Sequence, residues 1–282
     1  MSQTEPPAAA RASSFGGNLV RRVGTALVAL PLLLLALFLG PDWLFVGIVA
    51  GAVAVGAWEF FDLAQKTSLP PFRAAGLLVT AALFLEVAFP AFRFPVVPAV
   101  AAILLAFLLW TRAEFGQAVS GAASTLLGGV YLGALGGAIA GLRLLPPDAD
   151  GPLRVLLLCA IIMGSDTLAF FTGRVLGRHR LAPRISPGKT VEGALGGLAG
   201  GVAGALAVRA LGLDVPLADG VLLGLAVAAA GTIGDLVESV FKRWAGVKDS
   251  GVLFPGHGGM LDRLDSLLFG APVLYYYFLG LR

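Results

Sequence analysis

The stretch LADGVLLGLAVAAAGTIGDLVESVFKRWAGVKDSGVLFPGHGGMLDRLD, residues 217–265, decides how the chain is read. Its first half, to about Phe241, is an apolar run long enough to cross a bilayer core as a helix, which takes about 20 residues. Its second half is polar and rich in glycine. Asp235, Glu238, Asp262 and Asp265 sit on the helical flanks of a connection that carries Lys242, Arg243, Lys248, Asp249 and His257. So dense a group of charges, joined directly to apolar helices, asks for a functional explanation.

Outward from this stretch the chain is mostly apolar. Of its 282 residues, 57% are hydrophobic and 13% charged, where a soluble domain carries about 25% charged residues. The mean hydropathy is +0.88. Apolar runs recur from Val23 to the C-terminus, and the short alternating segments of a barrel are absent. The pattern therefore predicts an all-α polytopic integral membrane protein. About nine transmembrane helices are expected, at residues 24–40, 43–64, 74–90, 94–111, 118–144, 153–175, 191–212, 217–241 and 262–281. Residues 1–20 read as a disordered polar tail and 21–282 as a single transmembrane domain. Arg21 and Arg22 ahead of an apolar run resemble a signal peptide, but no clear cleavage site follows, so an uncleaved first helix is expected. The lone Cys159 lies in an apolar run and is expected to pack.

Placing the N-terminus in the cytoplasm puts 15 of the 20 Lys and Arg residues on that side, as the positive-inside rule expects. It also puts the polar loops 176–190 and 242–261 on the same face, and so predicts an active site at the cytoplasmic interface of the cell (inner) membrane. The net charge of +3 is modest, and no nucleic-acid partner is expected.

Gly129, Gly133, Gly137 and Gly141 recur at four-residue spacing, as do Gly196, Gly200 and Gly204. Small residues at this spacing let helix backbones approach closely in lipid. Packing within the chain is the expectation, and a homodimer face is left open.

Ionisable groups at membrane depth are costly and face a cavity or a partner. Trp58, Glu59 and Asp62 close the second span, and an aromatic beside acids there reads as interfacial anchoring. Asp166 interrupts an apolar helix in GSDTLAFFTGRVLGR and calls for a cation. Arg174 lies eight residues on, about 12 Å along the axis, so it would have to reach back. In the loop RHRLAPRISPGKTVEG, Ser186 followed by Pro187 suits an N-cap and first helical position, which predicts a helix starting near Pro187. With Arg178, Arg180, Arg184 and Lys189 around it, that helix start is a candidate anion site. A basic loop meeting anionic lipid heads is the alternative. Gly188-Lys189-Thr190 resembles the end of a P-loop, but residue 183 is Pro where that motif needs Gly.

Asp235, Glu238, Ser239 and Lys242 share one helical face, and Asp262, Asp265 and Ser266 share another. Carboxylates from two helices suit Mg²⁺, which takes oxygen ligands from one or two acids, phosphates and water. Gly258 and Gly259 let backbone N–H groups come close to a phosphate. Acids for metal together with bases and glycines for phosphate point to metal-assisted phosphoryl or nucleotidyl transfer at the membrane surface. Salt-bridged helix ends joined by a turn are the plain structural alternative.

The arrangement Ser239-x2-Lys242-Arg243-x4-Lys248-Asp249-x-Gly251-x2-Phe254-Pro255-Gly256-His257-Gly258-Gly259-x2-Asp262-Arg263-x-Asp265 resembles the pattern of the phosphatidate cytidylyltransferase (CDP-diacylglycerol synthase) family. Ser165-Asp166-Thr167, Gly173-Arg174, Ser186-Pro187-x-Lys189-Thr190-x-Glu192-Gly193 and Ala57-Trp58-Glu59 are similar to it as well. The likeness is strongest in 164–193 and 234–266. Gly188 departs from it, since many members have Lys there, which removes one phosphate contact. The resemblance implies an enzyme that converts CTP and phosphatidic acid into CDP-diacylglycerol and pyrophosphate for phospholipid synthesis. It implies Mg²⁺ on Asp235 and Asp262 with Asp265 and Asp166 nearby, and leaves open a second, monovalent cation such as K⁺. Lys242, Arg243, Lys248 and Arg263 would neutralise triphosphate and pyrophosphate, joined from the other loop by Ser186, Lys189 and Thr190. Gly258 and Gly259 would contact phosphate. Asp249 and His257 join the catalytic set, His257 either as a donor to the leaving group or as a strut in the turn. Lipid tails would lie between the spans.

Two other classes are weighed beside this. A secondary transporter or channel also uses intramembrane acids, but here the charges gather at one face and repeats are missing. A related lipid-linked nucleotidyltransferase or polyprenol-type kinase would use CTP with another lipid.

Overall fold

In lipid every backbone N–H and C=O must be bonded within the chain, and an apolar helix achieves this segment by segment. The computed structural model describes residues 31–89, 96–107, 114–251 and 258–280. Within them the chain is almost wholly helical: α1 (residues 31–38), α2 (Asp42–Gln65), α3 (Arg73–Ala88), α4 (Val96–Phe107), α5 (Phe115–Gly128), α6 (Leu135–Leu144), α7 (Gly151–Leu176), α8 (Val191–Ala210), α9 (Leu217–Trp244) and α10 (Leu261–Gly280). A π-helical turn at Gly129–Ala134 joins α5 to α6 without a break.

Five helices among the described residues are long and apolar enough to cross a membrane: Asp42–Gln65, Phe115–Leu144, Gly151–Leu176, Val191–Ala210 and Leu217–Trp244. They coincide with five of the nine expected spans. Of the others, α3 has 16 residues and α4 has 12, and α10 opens with three charged residues in its first five. The expected tail at 1–20 and the start of the first span lie outside the described residues.

Helix α10 packs against α2, α6, α7 and α9. Its Leu261, Leu268 and Leu274 are fully buried beside Phe60, Phe61, Leu132, Leu158 and Ile161. Glycines set the closest approaches. A Cβ at Gly200 would lie 2.7 Å from the Gly164 carbonyl carbon, and one at Gly204 2.7 Å from that of Ala160. Helices α7 and α8 therefore touch backbone to backbone, as the spacing of small residues predicts. Gly133 and Gly137 press in the same way on α3. Fully buried Arg154 donates to the carbonyl of Leu145, to that of Pro146 at 3.1 Å and to the Asp150 carboxylate at 3.5 Å, which ties down the turn ahead of α7.

One expectation is overturned. The helix after the basic loop does not begin at Pro187. Ser186–Thr190 forms a strand, β2, paired antiparallel with β1 (Arg180–Ala182). The ladder takes up backbone groups that a helix start would leave bare, and Pro187 fits an edge strand. Thr190 is the N-cap instead, its hydroxyl accepting from Gly193 N at 3.0 Å.

The C-terminus of α7, the hairpin, the start of α8, the C-terminus of α9 and the start of α10 share one end of the bundle. Arg243 Nε, at the end of α9, donates to the Ile185 carbonyl in the hairpin at 3.4 Å. Both polar loops therefore meet, as the span order predicts.

Candidate active site

Two polar centres lie at that end. The first is a cavity of about 570 Å³. Ser165, Asp166 and Arg174 line it from α7, Arg180 and Lys189 from the hairpin, and Thr232 and Asp235 from α9. Lys189 Nζ pairs with Asp235 Oδ2 at 2.6 Å. Asp166 is exposed to the cavity and makes no ion pair among the described residues; Asp235 and Lys189 share the cavity with it. Arg174 does not reach back to it, and the cation that acts on it is Lys189, from the hairpin. Asp265 lies within electrostatic reach of Asp235 and Asp166, and its Oδ1 accepts from Ser266 N at 2.6 Å.

The second centre is a continuous chain of hydrogen bonds. Lys242 Nζ lies 2.5 Å from Glu238 Oε2 and 2.7 Å from Asp262 Oδ1. Asp262 Oδ2 accepts from Ser250 N at 3.1 Å, from Ser250 Oγ at 2.8 Å and from Gly259 N at 2.8 Å. Glu59 Oε1 accepts from Met260 N at 3.0 Å, and its Oε2 from Leu261 N at 2.8 Å. Glu59 thus receives two of the N–H groups that a helix start leaves without partners. Gly258 has φ +79°, a conformation that is strained for a residue with a β-carbon.

The expected residues are therefore distributed as follows. Asp166, Asp235, Lys189 and Thr190 meet at the cavity, with Asp265 near. Lys242, Asp262 and Gly259 form the second centre, where Gly258 and Gly259 face the Asp262 carboxylate. Arg243, Lys248, Asp249 and Arg263 are exposed around it. Ser186 is part of the hairpin rather than a cap. His257 lies outside the described residues. Glu59 was expected at the interface and is instead buried at 7% exposure. Its neighbours are more open: Trp58 is exposed with the Arg73 guanidinium 3.6 Å over its ring, and Asp62 pairs with Lys66 at 3.4 Å. The signal for Glu59 was an acid inside an apolar helix, but its donors are about 200 residues away.

Among the described residues no group of three or more acids, histidines or cysteines is close enough to hold a metal ion. Two carboxylates, Asp166 and Asp235, share the cavity with Lys189. Hard oxygen donors of this kind fit Mg²⁺ that arrives with substrate phosphates, since that ion needs only one or two protein carboxylates.

The model of the cytidylyltransferase family matches residues 20–280. A phosphatidate cytidylyltransferase of Pseudomonas aeruginosa is 38% identical over 274 residues, covering 90% of this chain and 95% of its own. One of Synechocystis sp. is 34% identical over 287 residues, covering 91% and 95%. The uncharacterized protein YnbB of Escherichia coli is 43% identical over 127 residues, covering 45% of this chain and 43% of its own. With a match that runs almost from end to end, the chain belongs to the cytidylyltransferase family, and so to the nucleotidyltransferases.

Proposed function

We propose that the chain transfers the cytidylyl group of CTP to phosphatidic acid, giving CDP-diacylglycerol and pyrophosphate. The observation that carries this reading is the cavity in which Asp166 and Asp235 stand beside Lys189, Arg174 and Arg180 at the end of apolar helices. Acids and bases there suit a metal-bound polyphosphate, and the surrounding helices suit a lipid. The relatives named as phosphatidate cytidylyltransferases supply the acceptor.

A phosphate oxygen of the lipid attacks the α-phosphorus of CTP in line. A P–O bond forms, the bond to the β-phosphate oxygen breaks, and pyrophosphate leaves with the electron pair. The attacking phosphate is already ionised near neutral pH, so no strong base is needed. The protein's part is positioning and charge neutralisation. Lys189, Arg174 and Arg180 bind phosphate oxygens in the cavity. Lys242, held between Glu238 and Asp262, presents a fixed positive charge, and Arg243, Lys248 and Arg263 add to it. Asp235 with Asp166 would hold Mg²⁺, with Asp265 adjacent; Asp262 is engaged by Lys242, Ser250 and Gly259 instead. When bound, Mg²⁺ draws charge from the phosphate oxygens as a Lewis acid.

The excess of Lys and Arg on the N-terminal side supports nine crossings, with the reaction at the cytoplasmic face of the inner membrane. The test is pyrophosphate release by detergent-purified protein given CTP, Mg²⁺ and one acceptor at a time. Release with phosphatidic acid, and none with diacylglycerol or a polyprenyl alcohol, is expected. Release of CDP instead of pyrophosphate with either of those acceptors would overturn the reading.

A further inference from the structure

We propose that Glu59 is a positioning residue for cytidylyl transfer: its buried carboxylate fixes the start of α10, and with it Asp262. The inference rests on the reaction proposed above.

Glu59 belongs to α2, yet it binds residues on both sides of 252–257. On the far side it accepts from Met260 N and Leu261 N. On the near side Ser250 Oγ lies 3.3 Å from Glu59 Oε2 and 2.8 Å from Asp262 Oδ2, so its single proton serves one of the two acids. Asp262 in turn orients Lys242. Glu59 and Asp262 thus flank Ser250 and take up successive backbone N–H groups, Gly259 on Asp262 and Met260 and Leu261 on Glu59.

Two further observations set this apart from ordinary helix capping. A cap drawn from neighbouring sequence satisfies a helix start equally well, whereas this one comes from another helix and fixes α10 relative to α2. Among the described residues no Lys or Arg pairs with Glu59, and its donors there are N–H and O–H groups, aided by the positive end of α10. The backbone is also fitted to it. A Cβ at Gly251 would lie 2.8 Å from Glu59 Cδ, and one at Gly259 2.7 Å from the same atom. The carboxylate is buried and held by several donors, so it has little room to yield.

The test uses the full chain in detergent, with CTP, phosphatidic acid and Mg²⁺, and reads kcat per folded enzyme, KM for CTP and the thermal midpoint. Glu59→Gln keeps the shape but sets an NH₂ group against N–H donors. We expect kcat to fall about 10- to 100-fold, the scale of a small misplacement of reacting groups, with KM for CTP unchanged because the cavity is untouched. Gly251→Ala retains the carboxylate and displaces it, and should lower kcat in the same way. In the double variant the second change should add little, because both act on one contact. A lower thermal midpoint with unchanged kcat per folded enzyme makes Glu59 a helix anchor only and overturns the inference. Should Glu59→Gln fail to fold, wild-type kcat in Gly251→Ala overturns it equally. An inactive wild-type chain instead sinks the reaction itself, and the inference with it.

Discussion

Lys189 Nζ lies 2.6 Å from Asp235 Oδ2, and this ion pair joins the hairpin to α9 across the cavity that both residues line. It sets a base for phosphate beside an acid for metal, although 46 positions separate the two in the sequence.

The lysine should act on substrate more than on the fold. Its pair with Asp235 is partly exposed, and such pairs contribute little to stability. A charged hydrogen bond to phosphate is worth more, about 1.5–3 kcal/mol. Lys189→Ala should therefore raise KM for CTP about tenfold or more and leave the thermal midpoint almost unchanged. Steady-state kinetics and a melting curve check this. Unchanged KM would mean that the hairpin meets only lipid heads.

Asp235→Asn keeps the size of the side chain and removes its charge. Turnover should fall by about two orders of magnitude or more, as when a group that stabilises phosphoryl transfer is lost. More Mg²⁺ should be needed for half-maximal rate. A Mg²⁺ titration of the variant reads both, and a wild-type titration curve would take Asp235 out of the metal site.

Asp262→Asn should be costly in two ways. It removes the charge partner of Lys242 and weakens three bonds from Ser250 and Gly259. A loss of about 1–3 kcal/mol is expected for a partly buried charged acceptor, together with loss of turnover. Thermal unfolding and activity measured on one preparation check both parts. Full stability with no activity would show that the bonds at Asp262 serve chemistry alone.

The α7–α8 contact should respond to side-chain size. Gly200→Ala forces a β-carbon onto the backbone of Gly164, and Gly200→Leu forces the helices further apart. Overpacking of this kind costs about 1–3 kcal/mol. Because both helices line the cavity, turnover should fall in the same order. Wild-type stability of the leucine variant would contradict backbone contact at this site.

Much of this was legible in the sequence. Long apolar runs marked the helices at 42–65, 151–176 and 217–244, because a helix in lipid needs little else. Four-residue glycine spacing marked close packing, and charge at one face brought the two loops together. The parts that were missed depend on distant partners. Glu59 looked like an interfacial acid because its donors, Ser250, Met260 and Leu261, lie at the other end of the chain. Ser186-Pro187 satisfied the local rule for a helix start, but pairing with Arg180–Ala182 prevailed and gave the cap to Thr190. Asp166 was expected to need a cation, and the one in its cavity, Lys189, stands on the hairpin, which spacing along α7 could not reveal.

Cytidylyl transfer is tested most directly by following the phosphorus. The protein is given phosphatidic acid, Mg²⁺ and CTP labelled at either the α- or the γ-phosphate, and the lipid fraction is then extracted. Cytidylyl transfer puts the α-label in the lipid and the γ-label in released pyrophosphate. Label from the γ-phosphate in the lipid would make the chain a kinase and contradict cytidylyl transfer.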